Sequence, residues 1–249
     1  MRKHIYELLM LVEINLKVRY RQTAVGFFWV ILNPIILYTV QAALFGQILH
    51  RTDPSYYFYL LSGLLPWFYL SQTAQMGCNY INSNANLIKN LKIHPLKLIT
   101  GLALENYVNL ICASLLIYFY IFLTFPSTLI SFFIYIAASL WLLLLVILLT
   151  FISALLNVLF KDTNYILHFV FTILYFMTPT FFYTENLPTR FQEILKYNPF
   201  YWIIGLFRID SLSLFSFKLL FINLIIMLFT AFLAGFIWKK YKNKIYLKL

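Results

Sequence analysis

Few side chains in this chain are of a kind that does chemistry, and those few are scattered. Glu105 is a carboxylate at the edge of a long uncharged run, and an ionisable group inside an apolar span is a functional candidate by default. It lies about two helical turns from Lys97, close enough for that lysine or interfacial water to satisfy it. His168 stands alone in an apolar stretch, while His4, His50 and His94 sit in separate loops. Isolated histidines of this sort read as packed or interfacial groups, and no metal-ligand set assembles from them. Cys78 and Cys112 lie in apolar or weakly polar runs and read as buried thiols. Glycosyl or phosphoryl transfer needs acidic or metal-binding groups gathered at one membrane face. Beyond the N-terminal segment, Asp162 is the lone loop acid on the more basic side of the chain. No glycine precedes a lysine, so the phosphate-binding GxxxxGK[ST] loop is missing, as are HExxH, CxxC and a Gly-rich dinucleotide turn. The expectation is no catalytic residue, no metal and no cofactor in this chain; energy-driven work would draw on a partner that uses ATP and magnesium.

The elements that carry these residues are set by hydropathy. Of 249 residues, 62% are hydrophobic and 11% charged, against about 25% charged in soluble domains. A soluble core of this size cannot hide that much apolar surface, so lipid is the expected solvent. The net charge of +11 sits in short clusters between uncharged runs, the pattern of topology signals rather than of a nucleic-acid surface. Glu7 and Glu13 interrupt any signal-peptide hydrophobic region.

Residues 22–49 and 54–88 contain no Asp, Glu, Lys or Arg, which predicts one span in each, at about 27–49 and 56–77. The charge-free run 106–160 would reach ~80 Å as a single helix, far beyond a ~30 Å hydrocarbon core. It must fold back, and Pro126 marks the break. A fifth span is expected between Asp162 and Glu185, and a sixth between Lys218 and Lys239. Two short apolar pieces within 185–214 cannot span and predict a re-entrant or interfacial hairpin. Residues 1–22 place Ile5, Leu8, Leu9, Val12 and Leu16 on one helical face, predicting an amphipathic interface helix. The expected fold is therefore an all-α integral membrane protein of about six transmembrane helices, with residues 23–249 as a single transmembrane domain. The basic clusters 2–21, 89–97, 161 and 239–248 fall on one side and only Arg51, Arg190, Lys196, Arg208 and Lys218 on the other. That bias predicts both termini in the cytoplasm.

Three spans carry polar or aromatic residues at helical spacing. The first has Gln22, Gly26, Trp29, Asn33, Leu37 and Gln41; the second has Ser62, Pro66, Tyr69, Thr73 and Met76; the fifth has Tyr165, His168, Thr172, Tyr175, Pro179 and Phe182. Such stripes serve either as interhelical glue or as the wall of a conduit. Aromatic side chains are 20% of the chain. Part of this is the ordinary aromatic belt, but aromatic faces also suit a sliding sugar chain, whose ring C–H faces they bury without fixed hydrogen bonds. The conduit reading selects Trp29, Asn33, Tyr69, Thr73, His168, Thr172, Tyr175 and Phe182 as lining residues.

Three stretches resemble one family. Leu16–Pro34 reads LKVRYRQTAVGFFWVILNP; Leu61–Pro95 contains SGLLPWFYLSQ and NSNANLIKNLKIHP; Lys161–Arg208 contains a Lys-Asp pair, a Thr-Pro and NPFYWIIGLFR. In matching order these resemble the membrane subunits of ABC-2 type exporters of polysaccharides such as O-antigen, capsule or teichoic acid. One departure is His94, in Lys-Ile-His-Pro where Lys-x-Phe-Pro is more usual. The resemblance implies a homodimer in the bacterial cytoplasmic (inner) membrane, joined by two copies of a separate ABC ATPase and moving a lipid-linked polysaccharide. It also implies that the 188–209 hairpin forms gate helices, with Pro188, Asn198, Pro199, Tyr201, Trp202 and Arg208 as its marked residues. The loop after span two then becomes the ATPase contact, with Leu87, Ile88 and Leu91 on one helical face and Lys89 and Lys92 off it. Three rival readings stand beside this one. An ABC-2 exporter of drugs, haem or peptides would share the fold; a membrane-embedded glycan-processing enzyme and a purely structural membrane subunit would not need a conduit.

Overall fold

The computed structural model describes residues 2–20, 28–48, 54–124, 129–208 and 216–248. Among them the chain is built of helices: α1 (Arg2–Tyr20), α2 (Trp29–Ile48), α3 (Pro54–Ser83), α4 (Ala85–Leu91), α5 (Pro95–Thr124), α6 (Leu129–Leu159), α7 (Thr163–Met177), α8 (Thr189–Lys196), α9 (Pro199–Gly205) and α10 (Phe217–Lys248). The expected break at Pro126, the first part of the span-one stripe and the side chains of Trp29, Asn33 and Leu37 lie outside the described residues. Among the described residues three segments are long and apolar enough to cross a membrane, Pro95–Leu115, Phe132–Leu159 and Phe217–Lys248. The all-helical expectation is met.

Side-chain contacts set the relative directions. Residues of the first half of α3 share a core cluster with the first half of α6, while Ile81 clusters with Phe151–Leu159, so α3 and α6 run parallel. The start of α10 meets Ile134–Trp141, and Lys248 at its end donates to the Leu159 carbonyl, so α10 runs the same way. That lysine also sets a positive charge at the α6 C-terminus, where the helix dipole favours it. Helices α5 and α7 run against them: Tyr107 meets Ser139 and Tyr118 meets Phe132 across α5–α6, while Gln75 meets His168 and Trp67 meets Phe171 across α3–α7.

Small residues let α3 and α6 approach. Ala74, Gly77 and Cys78 of α3 face Thr150, Ser153 and Asn157 of α6. The Ser153 hydroxyl donates to the Ala74 carbonyl at 3.2 Å, and Asn157 Nδ2 donates to Asn79 Oδ1 at 2.7 Å. A Cβ on Gly77 would overlap the Thr150 methyl. This seam is the interhelical glue that small and hydroxylated residues provide where lipid supplies no hydrophobic drive.

Helix α1 is not free at the surface. Lys97 of α5 donates to Glu7 at 2.7 Å, and Leu11 packs so close to Gly101 that an added Cβ there would stand 3.3 Å from the Leu11 Cβ. Tyr6, Met10 and Ile14, one residue round from that contact row, remain exposed. Lys97 is thus paired with Glu7, and Glu105 is buried in the body of the chain at 2% exposure.

The seam makes a direct test. Gly77→Ala should destabilise the protein by about 1–3 kcal/mol through overpacking. Adding Thr150→Ser, which removes the obstructing methyl, should restore most of that loss in thermal unfolding in detergent. Equal melting of the single and double variants would contradict the contact.

Candidate functional site

Span five is where the backbone departs from the expected simple helix. Helix α7 has 15 residues, about 22 Å of rise, short of a ~30 Å core. It stops because Pro179 has no N–H to continue the ladder. The chain beyond is non-helical through Tyr183, and Thr178, Pro179 and Thr180 are buried. Buried backbone that has left the helical ladder must have its carbonyls satisfied by protein.

Side chains from two distant parts of the sequence do this. Asn198 Nδ2 donates to the Met177 carbonyl and to Thr178 Oγ1, both at 3.0 Å. Tyr56 donates to the Phe181 carbonyl at 2.8 Å and Tyr59 to the Phe182 carbonyl at 2.7 Å. Arg208 donates to the Pro179 carbonyl, to the Thr180 carbonyl at 3.4 Å and to the Tyr59 hydroxyl oxygen. Its guanidinium carbon also stands 3.6 Å above the Tyr59 ring, a cation–π contact. The Arg208–Tyr59–Phe182 series is a chain in which each donor polarises the next. Gly63 makes the approach possible, because a Cβ there would lie 2.9 Å from the Thr180 carbonyl oxygen and from an Arg208 nitrogen.

The expected gate residues build the other wall. Pro188 stands at the N-cap of α8, and Asn198 caps α9 by accepting from the Phe200 N–H at 3.0 Å, with Pro199 in the first turn where its missing N–H costs nothing. Trp202 Nε1 donates to the Lys196 carbonyl at 2.8 Å, tying α9 back to α8. Tyr201, Trp202 and Arg208, with Tyr59, Tyr183 and Glu185, line a pocket of about 310 Å3. Ile203 and Ile204 bury α9 in the main core.

The expected lining residues separate into two groups. Tyr69 and Thr73 are covered within the chain: the Tyr69 hydroxyl donates to the Ala103 carbonyl at 3.1 Å, and Thr73 is fully buried. His168 and Thr172 are exposed; His168 Nδ1 lies 3.0 Å from Gln75 Oε1, and the Thr172 hydroxyl donates to the His168 carbonyl at 2.8 Å. Tyr175 and Phe182 are half-buried, Tyr175 among Trp67, Phe68 and Phe181. The open polar face of α3 is therefore Gln72, Gln75, Met76 and Asn79, and only Met76 belongs to the stripe expected from the sequence. Spacing locates a stripe but leaves open which of several interleaved stripes meets α5 and α6.

Helix α4 divides the expected coupling residues. Ile88 is buried and Leu87 packs against the same core cluster, whereas Lys89, Leu91 and Lys92 point outward. The helix ends at Lys92, in the left-handed region at φ 52°. Next to it, His94 Nδ1 accepts from the Leu96 N–H at 3.1 Å, and its ring lies edge-on to Trp238 at 4.8 Å. Burial, with Lys97 nearby, holds His94 below the usual histidine range, so the neutral ring can accept that bond. His94 packs here as a plain aromatic ring would.

Sequence reasoning missed Tyr56, Tyr59 and Gly63. The available signal was Arg208 itself, since a cation at the end of an apolar segment needs partners, and two tyrosines three residues apart share one helical face.

Residues 6–210 match the profile of the ABC-2 type transporter family, and the chain belongs to that family. Its relatives include the O-antigen export system permease protein RfbA of Myxococcus xanthus, 28% identical over 186 residues, covering 70% of this chain and 67% of the relative. The protein of the same name from Klebsiella pneumoniae is 23% identical over 207 residues, covering 79% and 76%. The polysialic acid transport protein KpsM of Escherichia coli is 24% identical over 198 residues, covering 78% and 76%. The family read from the three sequence stretches is thereby shown, and these relatives are named for O-antigen export and polysialic acid transport.

The clamp predicts coupled energetics. Tyr59→Phe should cost about 1–3 kcal/mol by leaving the Phe182 carbonyl unpaired in a buried site. Arg208→Met should cost more, because it strips the Pro179 and Thr180 carbonyls. The double variant should lose less than the sum of the singles; strict additivity in thermal unfolding would mean that the two residues act separately.

Proposed function

We propose that this chain is the membrane permease subunit of an ATP-driven exporter that carries a lipid-linked polysaccharide, of O-antigen, capsular or teichoic acid type, across the cytoplasmic membrane. The observation that carries the reading is the open stripe of Gln72, Gln75 and Asn79 on α3, continued by His168 and Thr172 on α7. Polar side chains within spans face a bundle interior or a water-filled cavity rather than lipid. The Gln72 carboxamide offers a donor and an acceptor, the pair that a sugar hydroxyl requires, while Gln75 and Asn79, whose side-chain oxygens are paired with His168 and Asn157, offer their amide N–H groups. A second copy of the chain facing this stripe would close a conduit whose walls can exchange hydrogen bonds with successive sugars. The polysaccharide cargo of the named relatives supports the same class.

In this reading α2, α3, α5, α6, α7 and α10 are the six crossings; the alternating directions of α3, α5, α6, α7 and α10 fit that topology. Helix α7 crosses together with the clamped segment after it. Helix α1 rests at the cytoplasmic interface, both termini are cytoplasmic, and α8–α9 dip back from the outer face as the gate. Two copies of a separate ATPase supply energy with ATP and magnesium. They would dock on the outward residues of α4, with Leu91 as the apolar contact and Lys89 and Lys92 meeting acidic groups at the rim. Ile88 and Leu87 anchor α4 to the bundle, so a push on Leu91 would pass to α3 and α5.

Two experiments test the reading. With the partner ATPase co-expressed, Leu91→Asp with Lys89→Glu should leave the permease inserted but unable to retain the ATPase on purification; full retention would remove α4 as the docking element. In a glycan-export assay, Gln72→Leu with Asn79→Leu should lower flux by about tenfold, the scale of one or two hydrogen bonds lost along the path, while Tyr69→Phe should leave it near wild type. Unchanged export in the amide variant would show that this face is not the path.

A further inference from the structure

At the end of the bundle that carries the hairpin, α6 and α10 part to leave an apolar groove of about 930 Å3. That volume is at the upper end of the ~300–1,000 Å3 typical of ligand sites. The groove exists because Ala137 and Ala138 stand between the bulky Ile134 and Trp141 on α6, opposite Phe217 and Phe221 of α10. Both walls belong to helices long and apolar enough to span, so the surrounding solvent at this depth is hydrocarbon.

Two polar side chains reach the groove, Lys218 and Asn223. The Asn223 amide nitrogen is already committed, donating to the Trp202 and Leu219 carbonyls at 2.9 Å each, and its Oδ1, an acceptor only, offers nothing to an anion. Lys218 is exposed, its ammonium 5.8 Å from the centre of the Trp202 ring, and no acidic residue among those described lines the groove. Neither α6 nor α10 contains an Asp or Glu along its whole length. A second copy packed here through the same helices would therefore bring no counter-charge to Lys218. A phosphate would bring one, attached to the hydrocarbon that the rest of the groove demands.

We propose that this groove is a specific site for an anionic bilayer phospholipid, with one acyl chain along Ala137 and Ala138 and the phosphate at Lys218. The bound lipid would brace the gate hairpin from behind. Leu206 lines the groove two residues before Arg208, and Asn223, also on its wall, holds the Trp202 carbonyl. The site is independent of what the exporter carries.

The test is native mass spectrometry of the purified full chain with phosphatidylglycerol, with phosphatidylcholine of matched chains, and with a polyprenyl phosphate as competitor. Phosphatidylglycerol should be retained about fivefold over phosphatidylcholine, the scale of one interfacial lysine. Lys218→Gln should abolish that preference, and Ala137→Phe, at an exposed position, should lower retention of both phospholipids. Equal retention of the two by the wild type, or retention unchanged in Ala137→Phe, would overturn the site. Displacement by equimolar polyprenyl phosphate would assign the groove to the carrier lipid instead. A change of oligomeric state in Ala137→Phe would assign it to a second copy.

Discussion

Carbonyl groups freed from a helix and covered by protein have no water to turn to, and the break after α7 frees several. Each must be paired by protein, or its burial costs the full desolvation of the group. Met177, Pro179, Thr180, Phe181 and Phe182 all find side-chain donors, from Asn198, Arg208, Tyr56 and Tyr59. That requirement dictates much of the surrounding architecture. Helix α3 must bring two tyrosines to one side of the segment, the hairpin must deliver Asn198 and Arg208 to the other, and Gly63 must leave room between them.

Helix α3 meets these demands along with two others. Its smallest residues, Ala74, Gly77 and Cys78, form the seam with α6, while Tyr69 reaches across to α5. The remaining face, Gln72, Gln75, Met76 and Asn79, stays open. A helix committed on several faces cannot rotate without breaking either the clamp or the seam. Its polar stripe is therefore held in a fixed orientation.

The same helix joins the clamp to α4. From Tyr59 to Ser83 it is continuous, with Pro66 tolerated inside it, and α4 follows directly with Ile88 buried against α5 and α6.

The sequence by itself determined the class. Charge-free runs, the placement of lysines and arginines, and three ordered motif stretches identified an all-helical ABC-2 membrane subunit, because lipid imposes composition and length before any packing is known. The resemblance also singled out Asn198 and Arg208, whose side chains reach the Met177 and Pro179 carbonyls. Orientation about each helix axis was decided only by tertiary structure. Every face of a membrane helix can be apolar, so periodicity could not tell that Tyr69 and Thr73 turn inward while Gln72 and Gln75 stay open. Nor could it tell that Ile88 anchors α4 while Leu91 projects, or that Tyr56 and Tyr59 reach carbonyls more than a hundred residues away. Those assignments depend on which neighbour each side chain meets, and neighbours distant in sequence are settled by packing alone.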